Sequence, residues 1–323
     1  MKNSSYILLA IVLLFTYACE PKQAQQEEAQ PVQANPELEA SQGYVAVEGG
    51  KIWYGIMGGG TQTPLLCMHG GPGGTSKGFF HLSEISKERP VIMFDQLGSG
   101  QSDYHEDTSL MKVEKLVEQV KAIQRELKLN EFYLVGSSWG SGLALEYYNK
   151  YPEGVKGIVF LSPYFSTPIW TADADTLIAA LPDSIQTAIR NGERDSLFNT
   201  DSYIAANRHF ASLHGRRNEY IKHPYDTVTS AFNAFIYNYM WGPTEFTARG
   251  TLKDYDNAHS LKKIKVPALF ATGEFDEARP TTVKRLSQMV KGSEFVVIPD
   301  AAHFTLNDNR EAVVSAIEAF LEK

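Results

Sequence analysis

Gly136-Ser137-Ser138-Trp139-Gly140 places a serine at the centre of a G-x-S-x-G pentapeptide, directly after the apolar run FYLVGS and before the helical pattern SGLALEYYNKY. Glycines at those positions permit a turn sharp enough to expose Ser138, whereas Ser137 misses the motif's centre. A serine hydroxyl attacks poorly until a base takes its proton, so the chemistry to look for is acyl transfer with a histidine as base and a carboxylate to orient it. Five of the eight histidines follow Ser138. His209, His214 and His223 fall in a stretch without strand-like runs, and His259 in a polar stretch before PALFATG. His303 alone follows the last apolar run, EFVVIP, in the loop PDAAHF. Asp276, just past PALFATG in TGEFDE, is the expected orienting acid, with Glu274 and Glu277 as neighbouring rivals. Asp300 and Asp308 are nearer His303 in sequence but end no preceding strand. Asp95, which precedes the serine, reads as an acceptor for loop amides.

His69-Gly70-Gly71-Pro72-Gly73 follows the run PLLCM. Glycines there let the backbone approach a tetrahedral oxyanion, so the Gly71 and Trp139 amides are the expected donors, each contributing about 3 to 4 kcal/mol to the transition state. His69 is expected to bond backbone. The elements that must position these groups follow from periodicity. GYVAV and KIWYGIM alternate like two antiparallel edge strands around a Gly-Gly turn. PLLCMH, VIMFD, FYLVGS, GIVFLS, PALFATG and EFVVIP are short apolar runs, several separated by helical patterns at 109–128, 138–150, 280–290 and 308–322. Alternating strand and helix implies a mostly parallel sheet covered on both faces. With the elbow motif this predicts an α/β-hydrolase fold, its core formed by residues 43–164 and 251–323. No strand run occurs between Phe165 and Gly250, and residues 165–250 are expected to form an inserted helical cap over the carboxyl ends of the strands.

Residues 1–18 combine Lys2 with an apolar run from Tyr6 to Ala18, too short for a bilayer core that needs about 20 apolar residues. They read as a signal peptide, with Cys19 as the lipidated first residue of an exported, envelope-anchored lipoprotein. Residues 19–42, rich in Gln, Glu, Ala and Pro, read as a disordered tether. The other cysteine, Cys67, sits in an apolar run and is expected to be buried. The net charge is −8, and residues 20–42 hold five Glu against one Lys. There is no basic stripe for nucleic acid, no cofactor motif and no histidine spacing suited to a metal. Any membrane contact is expected through the lipid anchor alone, and oligomeric state is not legible.

The segments HGGPG at 69–73, FDQLGSGQSD at 94–103, GSSWGS at 136–141, GPTEF at 242–246 and GEFDE at 273–277, together with His303, resemble the proline iminopeptidase family of serine peptidases, including its tricorn-interacting aminopeptidase branch. The resemblance runs from about residue 43 to the C-terminus. It implies release of an N-terminal residue, proline or another small apolar one, from short peptides or aminoacyl amides through an acyl-enzyme. It also implies that Glu245 and Glu277 hold the substrate's free amine, assisted by Tyr237. The residue types support this independently, since carboxylates beside a cationic amine offset its desolvation, and Tyr237, Tyr239, Trp241 and Phe246 suit a small apolar ring. An esterase, lactonase or amidase using the same triad without a free-amine requirement stays open, because fold and triad do not fix the acyl group.

Overall fold

The computed structural model describes residues 34–221 and 232–323. Eight strands form one sheet: β1 (Ser41–Val47), β2 (Gly50–Met57), β3 (Leu65–Met68), β4 (Val91–Phe94), β5 (Phe132–Ser137), β6 (Val155–Leu161), β7 (Ala268–Gly273) and β8 (Glu294–Ile298). Their spatial order is β1-β2-β4-β3-β5-β6-β7-β8, antiparallel for the β1–β2 and β2–β4 pairs and parallel from β4 onward. The apolar runs are continuous because both faces are covered. Leu66, Met68, Ile92, Phe94 and Leu134 pack on one face with Val120 and Leu143, while Leu65, Cys67, Val91, Met93 and Val135 pack on the other with Val313 and Ile317. Neighbouring residues enter opposite cores, as a period of two demands. Cys67 is fully buried, and burial holds its thiol well above the ordinary range.

Helices α1 (Val113–Glu126) and α2 (Trp139–Lys150) fall between the early strands. After β6 the strands stop. Helices α3 (Thr167–Ala179), α4 (Asp183–Asp195), α5 (Asp201–Phe210) and α6 (Ala234–Met240) follow, inside the stretch expected for the cap. They carry a core of their own around Ile178, Ile189, Tyr203, Phe210 and Phe246. The roots of this stretch are tied together: Thr167 N donates to Tyr255 O at 2.8 Å and Asn257 N to Phe165 O at 2.9 Å. Ala34–Lys323 pack as one compact unit, completed by α7 (Pro280–Ser287), α8 (Thr305–Asp308) and α9 (Arg310–Leu321).

The expected tether is corrected at its C-terminal end. Asn35 Oδ1 accepts from Asn130 N at 2.8 Å and Glu131 N at 2.9 Å, and its Nδ2 donates to Glu131 O at 2.7 Å. Leu38 is buried and exchanges backbone hydrogen bonds with Gly60. Composition alone read residues 34–42 as chain that buries nothing, but one Leu and one Asn suffice to seat them. The expected signal peptide, Cys19 and the rest of the tether lie outside the described residues.

Candidate active site

The turn from β5 into α2 carries Ser138, with φ 55° and ψ −125°, a conformation an L-residue adopts only under constraint. The constraint is close packing. A Cβ on Gly140 would stand 2.0 Å from Met68 O, and one on Gly136 2.3 Å from Gly140 O, so the elbow closes only with glycine at both positions. Trp139 opens α2, where a first-turn amide has no helical acceptor. Gly71, with φ 114°, lines both cavities that border Ser138, one of them together with Trp139. His69 serves the scaffold: its Nε2 accepts from Gln96 N at 3.0 Å. Asp95 likewise accepts from Ser76 N and Oγ and from Gln101 N.

Asp276 follows β7 and His303 follows β8, and the structure brings them together. Asp276 Oδ1 lies 2.8 Å from His303 Nδ1, and also accepts from Ala278 N at 2.8 Å. Its Oδ2 accepts from Thr272 Oγ1 at 2.9 Å and Gly273 N at 3.1 Å. A carboxylate fixed at both oxygens holds the imidazole with Nδ1 protonated, which leaves Nε2 for the cavity that His303 shares with Ser138. The His303 ring stands edge-on to Trp170, centroids 5.3 Å apart, and its backbone O accepts from Ser162 Oγ. Glu274, the rival acid, is exposed and accepts from Asp300 N.

Glu277 is buried, its Oε1 lies 3.9 Å from His303 Nδ1, and that oxygen has no hydrogen-bond partner. Glu245 reaches the same cavity from the cap, where Trp241 Nε1 and Thr247 N both donate to Thr244 O to form a tight turn. Tyr237, on α6, lines the cavity with a buried hydroxyl that makes no hydrogen bond of good geometry. The N-cap of α6, Asn233, donates to Gly98 O and accepts from Phe235 N and Ile236 N, which fixes the helix against the loops below it.

These groups titrate together. Burial raises the Glu277 carboxyl well above its ordinary value and Glu245 adds to this, while His303 pulls the other way. Burial also raises Glu245, opposed by His303 and the Tyr237 hydroxyl. For His303, burial disfavours the charge, but Asp276, Glu277 and Glu245 outweigh it and lift the imidazolium to about 9. All of these shifts have one source: three carboxylates share one imidazole and little solvent, so the cluster retains protons at neutral pH.

Two cavities meet at Ser138, Gly71 and Glu245. A chamber of about 10 Å³ is walled by Trp139, Tyr164, Trp170 and Trp241, and a larger one of about 330 Å³ extends past Thr75, Lys77, His81 and Arg216. Of the four aromatics expected to suit an apolar ring, Trp241 and Tyr237 line these cavities. Phe246 instead packs against Tyr203 and Phe210 in the cap core, and Tyr239 stacks on Phe235. Phe246 follows Glu245 in the turn and faces the other way. Trp170 was not legible as a site residue, because its bond from Nε1 to Glu245 O spans 75 residues. The described residues hold no cluster suited to a metal ion.

A serine in an elbow, a histidine on a fixed aspartate and a capped parallel sheet define a serine hydrolase of the α/β-hydrolase fold. A family model described as alpha/beta hydrolase fold matches residues 63–309. The chain is 35% identical to the proline iminopeptidase of Heyndrickxia coagulans, over 87% of this chain and 98% of that protein, and 31% identical to that of Lactobacillus acidophilus, over 88% and 99%. The crystal structure of a proline iminopeptidase from Mycobacterium smegmatis superposes with a TM-score of 0.77 at 25% identity, covering 87% of this chain and 98% of the other. The chain belongs to the proline iminopeptidase family.

Proposed function

We propose that this protein is a serine aminopeptidase that releases an N-terminal residue, proline or another small apolar one, from short peptides or aminoacyl amides. The observation that carries the reading is a pair of carboxylates beside the catalytic histidine, Glu277 buried and Glu245 half-buried on the cavity wall. The buried Glu277 Oε1 has no hydrogen-bond partner, which is costly, and a bound ammonium supplies the missing charge and donor. In the reaction, Ser138 Oγ attacks the scissile carbonyl while His303 Nε2 takes its proton and Asp276 steadies the resulting imidazolium. The carbonyl oxygen becomes an oxyanion facing the Gly71 and Trp139 amides. Collapse breaks the C–N bond, and His303 returns the proton to the leaving amine. A water then attacks the acyl-enzyme, again giving its proton to His303, and frees Ser138. Trp139, Tyr164, Trp170 and Trp241 beside Ser138 offer the acyl side an apolar surface. Turnover of a panel of aminoacyl amides with and without an N-acetyl block tests the reading: free amines should be cleaved and blocked ones spared. Equal cleavage would replace it with an esterase or amidase.

We further propose that residues 1–18 are removed and that Cys19 carries lipid, on the strength of the short apolar run ending at a cysteine. Cys19→Ser should release soluble enzyme from the membrane fraction, and unchanged fractionation would reject lipidation.

A further inference from the structure

We propose that Asp173 is a positioning residue for recognition of the free amine: it anchors α3 to α7, and α3 in turn holds the Glu245 turn through Trp170. This inference rests on the aminopeptidase reading and names what sets the spacing of its two carboxylates.

Glu245 comes from a turn in the cap and Glu277 from the loop after β7, so one ammonium can meet both only if cap and core keep a fixed spacing. A charge-assisted hydrogen bond tolerates little error in length. The core side is rigid. Ala278, next to Glu277, donates from N to Asp276 Oδ1 at 2.8 Å and accepts at O from Thr272 Oγ1 at 2.6 Å. The cap side needs a tether to this point, and α3 supplies one. Trp170 Nε1 donates to Glu245 O at 2.8 Å, and its ring stands against His303. Asp173 lies three residues further along α3, so the two side chains leave one face of the helix with their Cβ atoms about 5 to 6 Å apart. Asp173 Oδ1 accepts from Thr282 Oγ1 at 2.8 Å and from the Arg279 guanidinium at 3.3 Å. Arg279 is the N-cap of α7 and stands two residues after Glu277. A single turn of α3 therefore spans from the Glu245 turn to the end of the Glu277 loop.

Apolar packing alone does not fix that span. A cavity of about 10 Å³ lies between the two helices, lined by Ile169, Trp170 and Asp173 on one side and by Ala278, Val283 and Leu286 on the other. The placement of α3 here rests on the polar bonds beside that gap. Asp173 is only 7% exposed; burial raises its carboxyl above the ordinary value, and Thr282 and Arg279 oppose this. Without those donors the carboxylate would be buried and uncompensated, so the helix keeps the placement in which both are met. The first turn of α3 is held separately, by Thr167 N to Tyr255 O and Thr167 Oγ1 to Leu252 O. Loss of the Asp173 bonds should thus shift the second turn, which carries Trp170, without releasing the helix.

The test compares, within each protein, kcat/KM for an aminoacyl aryl amide bearing a free amine with kcat/KM for an uncharged aryl ester. Their ratio cancels any general loss of Ser138 chemistry or of folded protein. Asp173→Ala should lower the ratio by about tenfold, mainly through KM for the amide. Thr282→Val removes one donor from the α7 side and leaves the cap sequence intact; it should lower the ratio about threefold, and it decides the matter if Asp173→Ala does not fold. Glu245→Gln lowers the ratio directly, and adding Asp173→Ala to it should lower it no further, because the carboxylate being positioned is already gone. A ratio unchanged in Asp173→Ala and Thr282→Val, or a full further tenfold loss in Glu245→Gln/Asp173→Ala, would overturn the proposal. If Glu245→Gln itself leaves the ratio unchanged, or wild type cleaves N-acetylated and free amides alike, the aminopeptidase reading fails and this inference with it. A ratio that falls in Glu245→Gln but not in the Asp173 and Thr282 variants sinks this inference alone.

Discussion

Asp276 has both oxygens committed, one to His303 and Ala278 N, the other to Thr272 and Gly273, so an amide cannot replace it without losing an acceptor or reversing a donor. Asp276→Asn should therefore lower kcat by roughly 10⁴-fold, while Glu274→Gln should leave it nearly unchanged; steady-state assays of the two variants decide which carboxylate orients the base. The charge around His303 gives a second prediction. Three acids hold its imidazolium up to about 9, so in the free enzyme the neutral base forms only as pH rises through that range. Removing one anion lowers the pKa. In Glu277→Gln the acidic limb of kcat/KM for an uncharged aryl ester should shift to lower pH, toward the ordinary histidine value of about 6.5. The same variant should cleave free-amine substrates about 10- to 100-fold less well, having lost a charge-assisted contact. An unmoved limb would show that Glu277 does not act on His303. The elbow, the order of acid and base and the family segments made these residues legible, whereas Trp170 and Arg216 reach the site only through contacts across the fold that no local pattern records.

Among the elements, the segment from Ala211 to Ile221 and the loop carrying His303 are joined by more than packing. His303 N donates to His214 O at 3.1 Å, and Asp308 accepts from Ala302 N, Arg217 N and Asn218 N at 3.0 to 3.1 Å. Asn307 Oδ1 accepts from Ile221 N. Asp308 stood out in the sequence only for its nearness to His303, and its position in α8 makes it the clasp between cap and base, not the orienting acid. Asp308→Ala leaves three amides without an acceptor. It should cost about 1.5 to 3 kcal/mol in unfolding free energy and loosen the His303 loop, lowering kcat more than it raises KM. Faster hydrogen exchange confined to residues 214–221 and 301–308 would locate the effect, and unchanged exchange there would reject the clasp. Strands and core helices were legible because apolar runs bounded by turn residues admit few other readings. The insertion after β6 was legible mainly as an interruption, and its packing was not, since contacts such as Tyr203 Oη to Thr247 Oγ1 join residues 44 apart.

For the molecule as a whole, the compact unit begins earlier than composition suggests. The sequence between Glu20 and Gln42 is rich in Gln, Glu, Ala and Pro, and no periodicity distinguishes its last nine residues from the rest. What seats residues 34–42 is particular: Leu38 is buried and its backbone pairs with Gly60, and the Asn35 amide bridges the backbone at Asn130 and Glu131, before β1 begins at Ser41. The Asn35 contacts cross to residues 95 and 96 positions away and Leu38 reaches across a whole hairpin to Gly60, which is why local composition missed them. Burying one Leu stabilises by about 1.5 to 3 kcal/mol, and three buried or half-buried hydrogen bonds add about 1 kcal/mol each, partly offset by the entropy of ordering the segment. Removing residues 1–33 should leave the melting temperature unchanged, because the compact unit begins at Ala34. Removing residues 1–42 should lower it by several degrees, at about 2 to 4 °C per kcal/mol for a domain of this size, and Leu38→Ala in the shorter deletion should reproduce part of that loss. Thermal unfolding of the three proteins gives the answer: equal melting temperatures would return residues 34–42 to the tether, whereas a loss confined to the longer deletion and Leu38→Ala would make them part of the enzyme.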